Sequence, residues 1–137
     1  MRETDIRSDF SSSVVAMTHY SLDIHGCRYR NWEPSGEASS ASITESHVLP
    51  IQIPLESLIP QGVDNVLMGG KAIAVTHIVN AATRIHYSEW DIGSAAGAIA
   101  AWLTQQPTHI APSEIISTGR MSEVQEHLQS KNLQLSW

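Results

Sequence analysis

The chain has 137 residues, of which 42% are apolar, and a formal net charge of −6 from 14 acidic and 8 basic residues. This length suffices for one modest domain and excludes a second complete one. The acidic balance and the lack of a Lys/Arg cluster argue against nucleic acid or an anionic membrane as a partner. The single cysteine, Cys27, excludes an intrachain disulfide. Because the first ten residues also lack a signal-peptide pattern, we expect a cytoplasmic protein.

The first part of the chain predicts a strand followed by a loosely ordered segment. Residues 14–29 begin with β-branched side chains and then alternate between apolar and polar ones, which indicates a strand with one solvated face. Residues 31–46 are rich in Ser, Ala, Gly and Glu without a period, which predicts a long excursion with weak order. His19, Asp23 and His25 share the polar face of the strand and could present metal ligands. Zinc needs three or four convergent ligands, so we expect no metal site.

The middle of the chain predicts a buried strand that ends at glycines. Prolines at positions 50, 54 and 60 confine residues 48–62 to edge strands, turns and helix starts. Residues 66–68 form a short apolar run, typical of a strand buried on both faces, and Gly69 and Gly70 stop it. Residues 76–90 then allow a short helix or an irregular loop.

Residues 91–105 predict a helix with an unusually bare amino end. Gly93, Gly97 and Ala101 lie four residues apart, so one face of this helix is a stripe of small residues. A transmembrane dimer face matches this spacing, but the uncharged run is shorter than the roughly 20 apolar residues that a span needs. Two interpretations remain for the helix alone: close packing against a sheet, or uncovered backbone amides that bind an anion or a carbonyl oxygen.

The last residues predict a small closing helix. Ser122 is a plausible N-cap with Gln125 at the capping-box spacing, and Met121, Val124 and Leu128 share an apolar face. Asn132 can adopt the left-handed conformation that ends a helix.

Taken together, residues 53–103 resemble the carboxy-terminal segment of bacterial FAD-dependent oxidoreductases of the glutathione-reductase-like class, which has two dinucleotide-binding folds. Residues 20–26 and 121–135 are similar to the family's Asp-Ile-His strand and last helix. The residues that carry the main resemblance are Pro54, Leu58, Pro60, Asn65, Val66, Leu67, Gly70, Thr76, His77, Arg84, Gly93, Ala95, Ala96, Gly97, Ile99 and Ala100.

The resemblance implies a partial FAD/NAD(P)-binding-type fold of the α/β (α+β) class, with a few strands, a small-residue helix that faces the flavin, and a closing helix. It divides the chain into a substrate-side strand region (1–30), a flexible excursion (31–47), a carboxy-terminal FAD-binding segment (48–106), and a closing loop and helix (107–137). The parent activity would be hydride transfer between a small-molecule substrate and the flavin.

The resemblance also implies a set of site residues. Backbone amides near Ser94 and Ala95, at the amino end of the helix, would donate hydrogen bonds to a carbonyl oxygen of the flavin ring. His77 and Arg84 would act in catalysis as a pair that orients the substrate or tunes the flavin, while a buried histidine and a surface ion pair stay open as alternative interpretations. The full set of predicted cofactor contacts is Gly69, Gly70, Lys71, Gly93, Ser94, Ala95, Ala96 and Gly97.

Two departures from the family pattern limit this reading. The sequence has no G-x-G-x-x-G turn to hold the ADP half of FAD, and no acidic residue stands at Gly69 or Gly70. We therefore expect the carboxy-terminal part of a flavoenzyme that binds FAD only with a missing amino-terminal domain or subunit, and that is inactive by itself. The alternative is a truncated, non-catalytic interaction domain that self-associates or pairs with that missing domain. Cys27 has no Cys-x-x-Cys partner and no G-x-S-x-G motif occurs, so the sequence supports neither disulfide redox chemistry nor a serine hydrolase.

Overall fold

A computed structural model of the chain describes residues 1–2, 5, 8–24, 43–46 and 49–136, with the backbone alone at 22–24 and 43–46. The strands in these residues are β1 (Val14–Thr18), β2 (Leu22–Ile24), β3 (Ile43–Ser46) and β4 (Ile51–Pro54). The helices are α1 (His77–Thr83), α2 (His86–Thr104), α3 (Glu114–Ser117) and α4 (Met121–Ser130), with 3₁₀ turns at Leu55–Leu58 and Gly70–Ala72. The result is a mixed α/β fold, as the sequence predicts.

The main sheet within the described residues is an antiparallel pair. Strand β1 pairs with β4, with Ala16 opposite Ile53 and Thr18 opposite Ile51. Every residue of β1 is buried, because α2 and α4 pack against it. The predicted single strand with one solvated face is therefore wrong in this part. The strand ends at Thr18, and residues 25–30 lie outside the described residues.

A second antiparallel pair joins β2 to β3. Strand β3 (Ile43–Ser46) falls inside the segment that the sequence predicts to be an excursion, so the segment includes regular structure at these residues. The remainder of that segment, residues 31–42, lies outside the described residues.

The apolar run at residues 66–68 is not a strand. Val66 is 40% exposed, and Leu67 and Met68 are half-buried. The backbone amide of Met68 donates a hydrogen bond to the carbonyl of Leu58 at 2.7 Å. The sequence predicts a strand here that is buried on both faces. That prediction is wrong for this chain, because no described strand lies beside the run to complete a ladder.

Helix α2 is the central element of the core. Its Ile92, Ile99 and Trp102 are buried, and the helix packs against β1 and α4. It begins at His86, five residues before the predicted start at Asp91. None of the helices in the described part of the chain combines the length and the apolarity that crossing a membrane requires.

Helix α4 closes the core. The predicted apolar face is confirmed, since Met121, Val124 and Leu128 are all buried. Ser122 is not the N-cap, because the helix begins at Met121. Instead of closing a capping box, the side-chain amide of Gln125 donates hydrogen bonds to the carbonyls of residues 11 and 14, at 2.9 and 3.1 Å. These bonds fix α4 on the start of β1. Residue 132, an asparagine, has the predicted left-handed conformation, with φ of 63°.

Candidate functional site

The small residues of α2 divide into an exposed set and a buried set. Gly93, Ser94 and Gly97 are exposed, whereas Ala95 is fully buried and Ala96 is nearly so. A Cβ atom built on Gly93 or Gly97 would meet nothing within 4 Å. Internal packing therefore does not require a glycine at either position, and the glycine stripe (Gly93 and Gly97) is open to whatever lies outside the chain.

The earlier start of α2 changes what its backbone can do. In an uninterrupted helix, the amides of Ser94 and Ala95 bond to carbonyls one turn earlier. The predicted hydrogen bonds from these two amides to a flavin carbonyl therefore do not fit the structure. Intrahelical bonding of amides begins by Glu89, whose N–H donates to the carbonyl of Ile85 at 3.0 Å. The amides without an intrahelical partner belong to the first turn of α2, at residues 86–88.

The Gly69 segment packs on the same helix. A Cβ atom on Gly69 would lie 3.5 Å from Cα of Gly93 and 3.7 Å from Cβ of Ala96, which are ordinary van der Waals distances. The next residue, Gly70, has φ of 59°, a conformation that side chains other than glycine rarely adopt. The small residues of α2 thus serve a packing role toward Gly69, while Gly97 faces open space.

A cavity of about 610 Å³ lies along this part of α2. Its walls come from the segment before the Gly69 turn, from the carboxy-terminal half of α2 and from the loop that follows it. Most of the wall is apolar, and three polar side chains, those of Asn65, Thr104 and His109, interrupt it. The lining residues are Asn65, Leu67, Gly69, Ala96, Gly97, Ala100, Leu103, Thr104, His109, Ile110 and Pro112. Sequence reasoning missed His109, because it lies in a proline-bounded loop without a motif.

An ion pair ties the Gly69 segment to the first turn of α2. Nζ of Lys71 lies 3.1 Å from Oε1 of Glu89, whose side chain is only 20% exposed. Negative charge is favoured at this position because the amino end of a helix carries a positive potential. Glu89 is not among the residues predicted from the sequence, although an acidic residue in the first turn is a recognisable signal once the start of the helix is known.

The structure places His77 and Arg84, the two residues predicted to act in catalysis, at opposite ends of α1. His77 is the first residue of α1 and Arg84 is its C-cap, so the length of the helix separates them, about 10 Å at 1.5 Å per residue. Both ring nitrogens of His77 are shielded from solvent. Neither residue lines the 610 Å³ cavity. Their predicted catalytic role stays a prediction.

The first turn of α2 also carries aromatic side chains that the sequence analysis overlooked. The rings of His86 and Trp90 stack with centroids 6.5 Å apart and planes at 18°, and Tyr87 is also exposed. On the same helix, partial burial raises the pKa of the Asp91 carboxyl above its ordinary value.

Among the described residues, no group of three or more His, Cys, Asp or Glu side chains could hold a metal ion. His25, one of the candidate ligands, lies outside them.

Comparisons with known proteins place the chain at the level of a family. Neither the curated proteins nor the solved structures include a match to it. A family model described as FAD dependent oxidoreductase matches residues 1–128, which is nearly the whole chain. With an open glycine stripe beside an apolar cavity, and with this match over nearly its full length, the chain belongs to the FAD-dependent oxidoreductase family.

Proposed function

We propose that this chain supplies the flavin-facing part of an FAD-dependent oxidoreductase, together with part of its substrate cavity. The observation that carries the proposal is the open glycine stripe next to the 610 Å³ cavity. Glycine in a helix interior costs about 1 kcal/mol relative to alanine, so two glycines at positions where an added Cβ would meet nothing within 4 Å favour an external contact. The glutathione-reductase-like subclass stays a prediction.

The residues present fit a flat ring system. Cavities of roughly 300–1,000 Å³ with apolar walls and a few polar groups are typical of small-molecule sites, and this one has that volume and that lining. Gly69, Ala96 and Gly97 line the cavity and would form the floor, and the exposed Gly93, one turn before Gly97, would extend it, because a missing side chain lets a ring approach the backbone. Ser94 would contribute an exposed hydroxyl at the edge. Of the other predicted contacts, Gly70 shapes the turn, and Ala95 supports the floor from the buried side.

The chemistry divides between the cofactor and the chain. The flavin supplies the hydride-accepting or hydride-donating ring. Lys71, held by Glu89, would offer a positive charge to an anionic group of the cofactor or substrate. The first-turn amides of α2 would add positive potential on the same side. His77 and Arg84 remain candidates for orienting the substrate, acting from the two ends of α1.

We further propose that the ADP half of FAD requires another polypeptide portion. The sequence lacks the glycine-rich turn that holds a pyrophosphate at a helix start. Val66 is 40% exposed, and the half-buried Leu67 lines the cavity, as expected for an apolar segment whose neighbour belongs to a dinucleotide-binding domain. The same exposure supports the alternative function, a non-catalytic domain that pairs with such a domain or with itself to cover apolar surface.

A ligand titration separates these possibilities. If the chain holds only the ring, the flavin fluorescence of FMN and of FAD should change on binding with similar, weak affinities. The Kd should be on the order of 0.1–1 mM for both, and ADP should not compete. Gly97→Leu should abolish FMN binding, while Glu126→Leu, an exposed substitution on α4, should leave it unchanged. Absence of FMN binding up to about 1 mM would rule out the flavin-facing role. Competition by ADP would show that the chain holds the other half of the cofactor.

The alternative function has its own readout. A non-catalytic, self-associating domain should elute from a sizing column as a concentration-dependent dimer and should not change the fluorescence of FMN. A monomer at all concentrations that binds FMN would exclude it.

A further inference from the structure

A second cavity, of about 450 Å³, shares no lining residue with the one beside α2. It lies between the turn at residues 59–64 and helix α3 (Glu114–Ser117). Its shape depends on Gly62, whose φ of 76° is strained for any other residue. The flavin proposal does not use this cavity.

The wall of this second cavity includes large aliphatic side chains that are exposed to solvent. Val63 is 49% exposed and Ile116 is 39% exposed, and Ile59 and Pro60 also line the cavity. Exposed apolar residues scattered singly need no explanation, but a group of them around one concavity indicates a contact surface.

The charge of the second cavity selects among possible occupants. Glu56 and Asp64 are part of its wall, and no lysine or arginine is. A symmetric contact with a second copy would bring the same acidic residues face to face, which is unfavourable between chains that each carry a net charge of −6. A segment with lysine or arginine next to an aliphatic side chain matches both the apolar wall and the acidic groups.

We propose that this cavity is a docking site for a basic peptide segment of a partner protein. One aliphatic side chain of the segment packs between Val63 and Ile116, and its flanking cations face Glu56 and Asp64. The small volume and the exposed charges make this a weak contact that salt weakens further.

The test uses the full chain labelled with ¹⁵N and two capped synthetic peptides, Lys-Leu-Leu-Lys and Glu-Leu-Leu-Glu. The basic peptide should shift backbone amide resonances of the 59–64 turn and of α3, with a Kd in the millimolar range. The acidic peptide should cause no shift there at the same concentration. Raising the salt concentration from about 50 to 500 mM should weaken the basic peptide several-fold.

Variants assign the shifts to the wall residues. Val63→Ser and Ile116→Ser should each weaken binding of the basic peptide roughly fivefold to tenfold, and Asp64→Asn should weaken it less and reduce its salt dependence. Tyr87→Ser, at an exposed position outside this cavity, is the matched control and should have no effect. Thermal melts verify that each variant remains folded. Equal binding of the two peptides, shifts centred elsewhere, or no shift at about 5 mM peptide would each overturn the proposal. FMN binding is measured separately, so failure here leaves the flavin proposal intact.

Discussion

Replacing Gly93 and Gly97 by alanine should stabilise the chain. Both residues lie in the interior of α2, where glycine costs about 0.5–1 kcal/mol relative to alanine. An added Cβ would meet nothing within 4 Å at either position, so no clash offsets the gain. Each substitution should therefore raise the free energy of unfolding by about 0.5–1 kcal/mol, and the double variant by about 1–2 kcal/mol.

Thermal and urea unfolding, followed by circular dichroism, measure this effect. For a domain of this size, 1 kcal/mol corresponds to a shift in Tm of roughly 3–5 °C. Gly119→Ala is the matched control because it makes the same chemical change where φ is 71°. It should destabilise the chain by about 1 kcal/mol, since alanine is strained in that conformation.

The same alanine variants should bind FMN more weakly, because their methyl groups occupy the floor on which we place the ring. Stability and ligand affinity would then change in opposite directions. If Gly93→Ala and Gly97→Ala instead lower Tm, the glycines have an internal packing role and the reasoning fails. If both variants gain stability without losing affinity for FMN, the glycine stripe is not the contact surface.

Three further predictions concern the buried and charged groups around α2 and α4. The hydroxyl of Thr18 donates to the carbonyl of residue 82 at 3.1 Å and hydrogen-bonds the hydroxyl of Ser88. In urea unfolding, Thr18→Val should lower the free energy of unfolding by about 1–3 kcal/mol, and adding Ser88→Ala should recover part of that loss. Partial burial raises the pKa of Asp91, so Asp91→Asn should be more stable than the wild type at pH 7. Thermal melts at lower pH should show this advantage shrink and vanish below pH 3.8, the ordinary pKa of the carboxyl. The hydrogen bond from Arg120 lowers the pKa of Glu123 below its ordinary value of 4.5, so Glu123→Gln should be less stable than the wild type at pH 7. Thermal melts across the acid range should show this difference in stability disappear as the pH falls through the lowered pKa.

The sequence predicts helices best where their stabilising contacts lie within the helix and on one face. The apolar residues of α4 recur at helical spacing, and all of them are buried as predicted. The start of α2 was missed because its N-cap is Ile85, which supplies no side-chain hydrogen bond, and its first turn is polar and aromatic. Because the helix begins five residues earlier than predicted, Ser94 and Ala95 lie in its interior and not at its amino end.

Other misses arise where tertiary contacts decide the structure. The run Val66, Leu67, Met68 has the composition of a buried strand, but a strand also needs a neighbour, and none of the described strands provides one. The candidate site divides in the same way. The glycine stripe can be predicted from spacing alone, whereas Asn65 and His109 meet at the cavity only because the loops before and after α2 fold back on it.

The most direct test of the account is a map of where FMN contacts the chain. Amide resonances of the ¹⁵N-labelled protein should be followed during an FMN titration, with ADP as a separate control. The account predicts that FMN causes its largest shifts at Gly69, Gly93 and Gly97 and that ADP causes none there. If FMN shifts the resonances of other residues but not of these glycines, or causes no shifts at all, the claim that the open face of α2 contacts a flavin ring is contradicted.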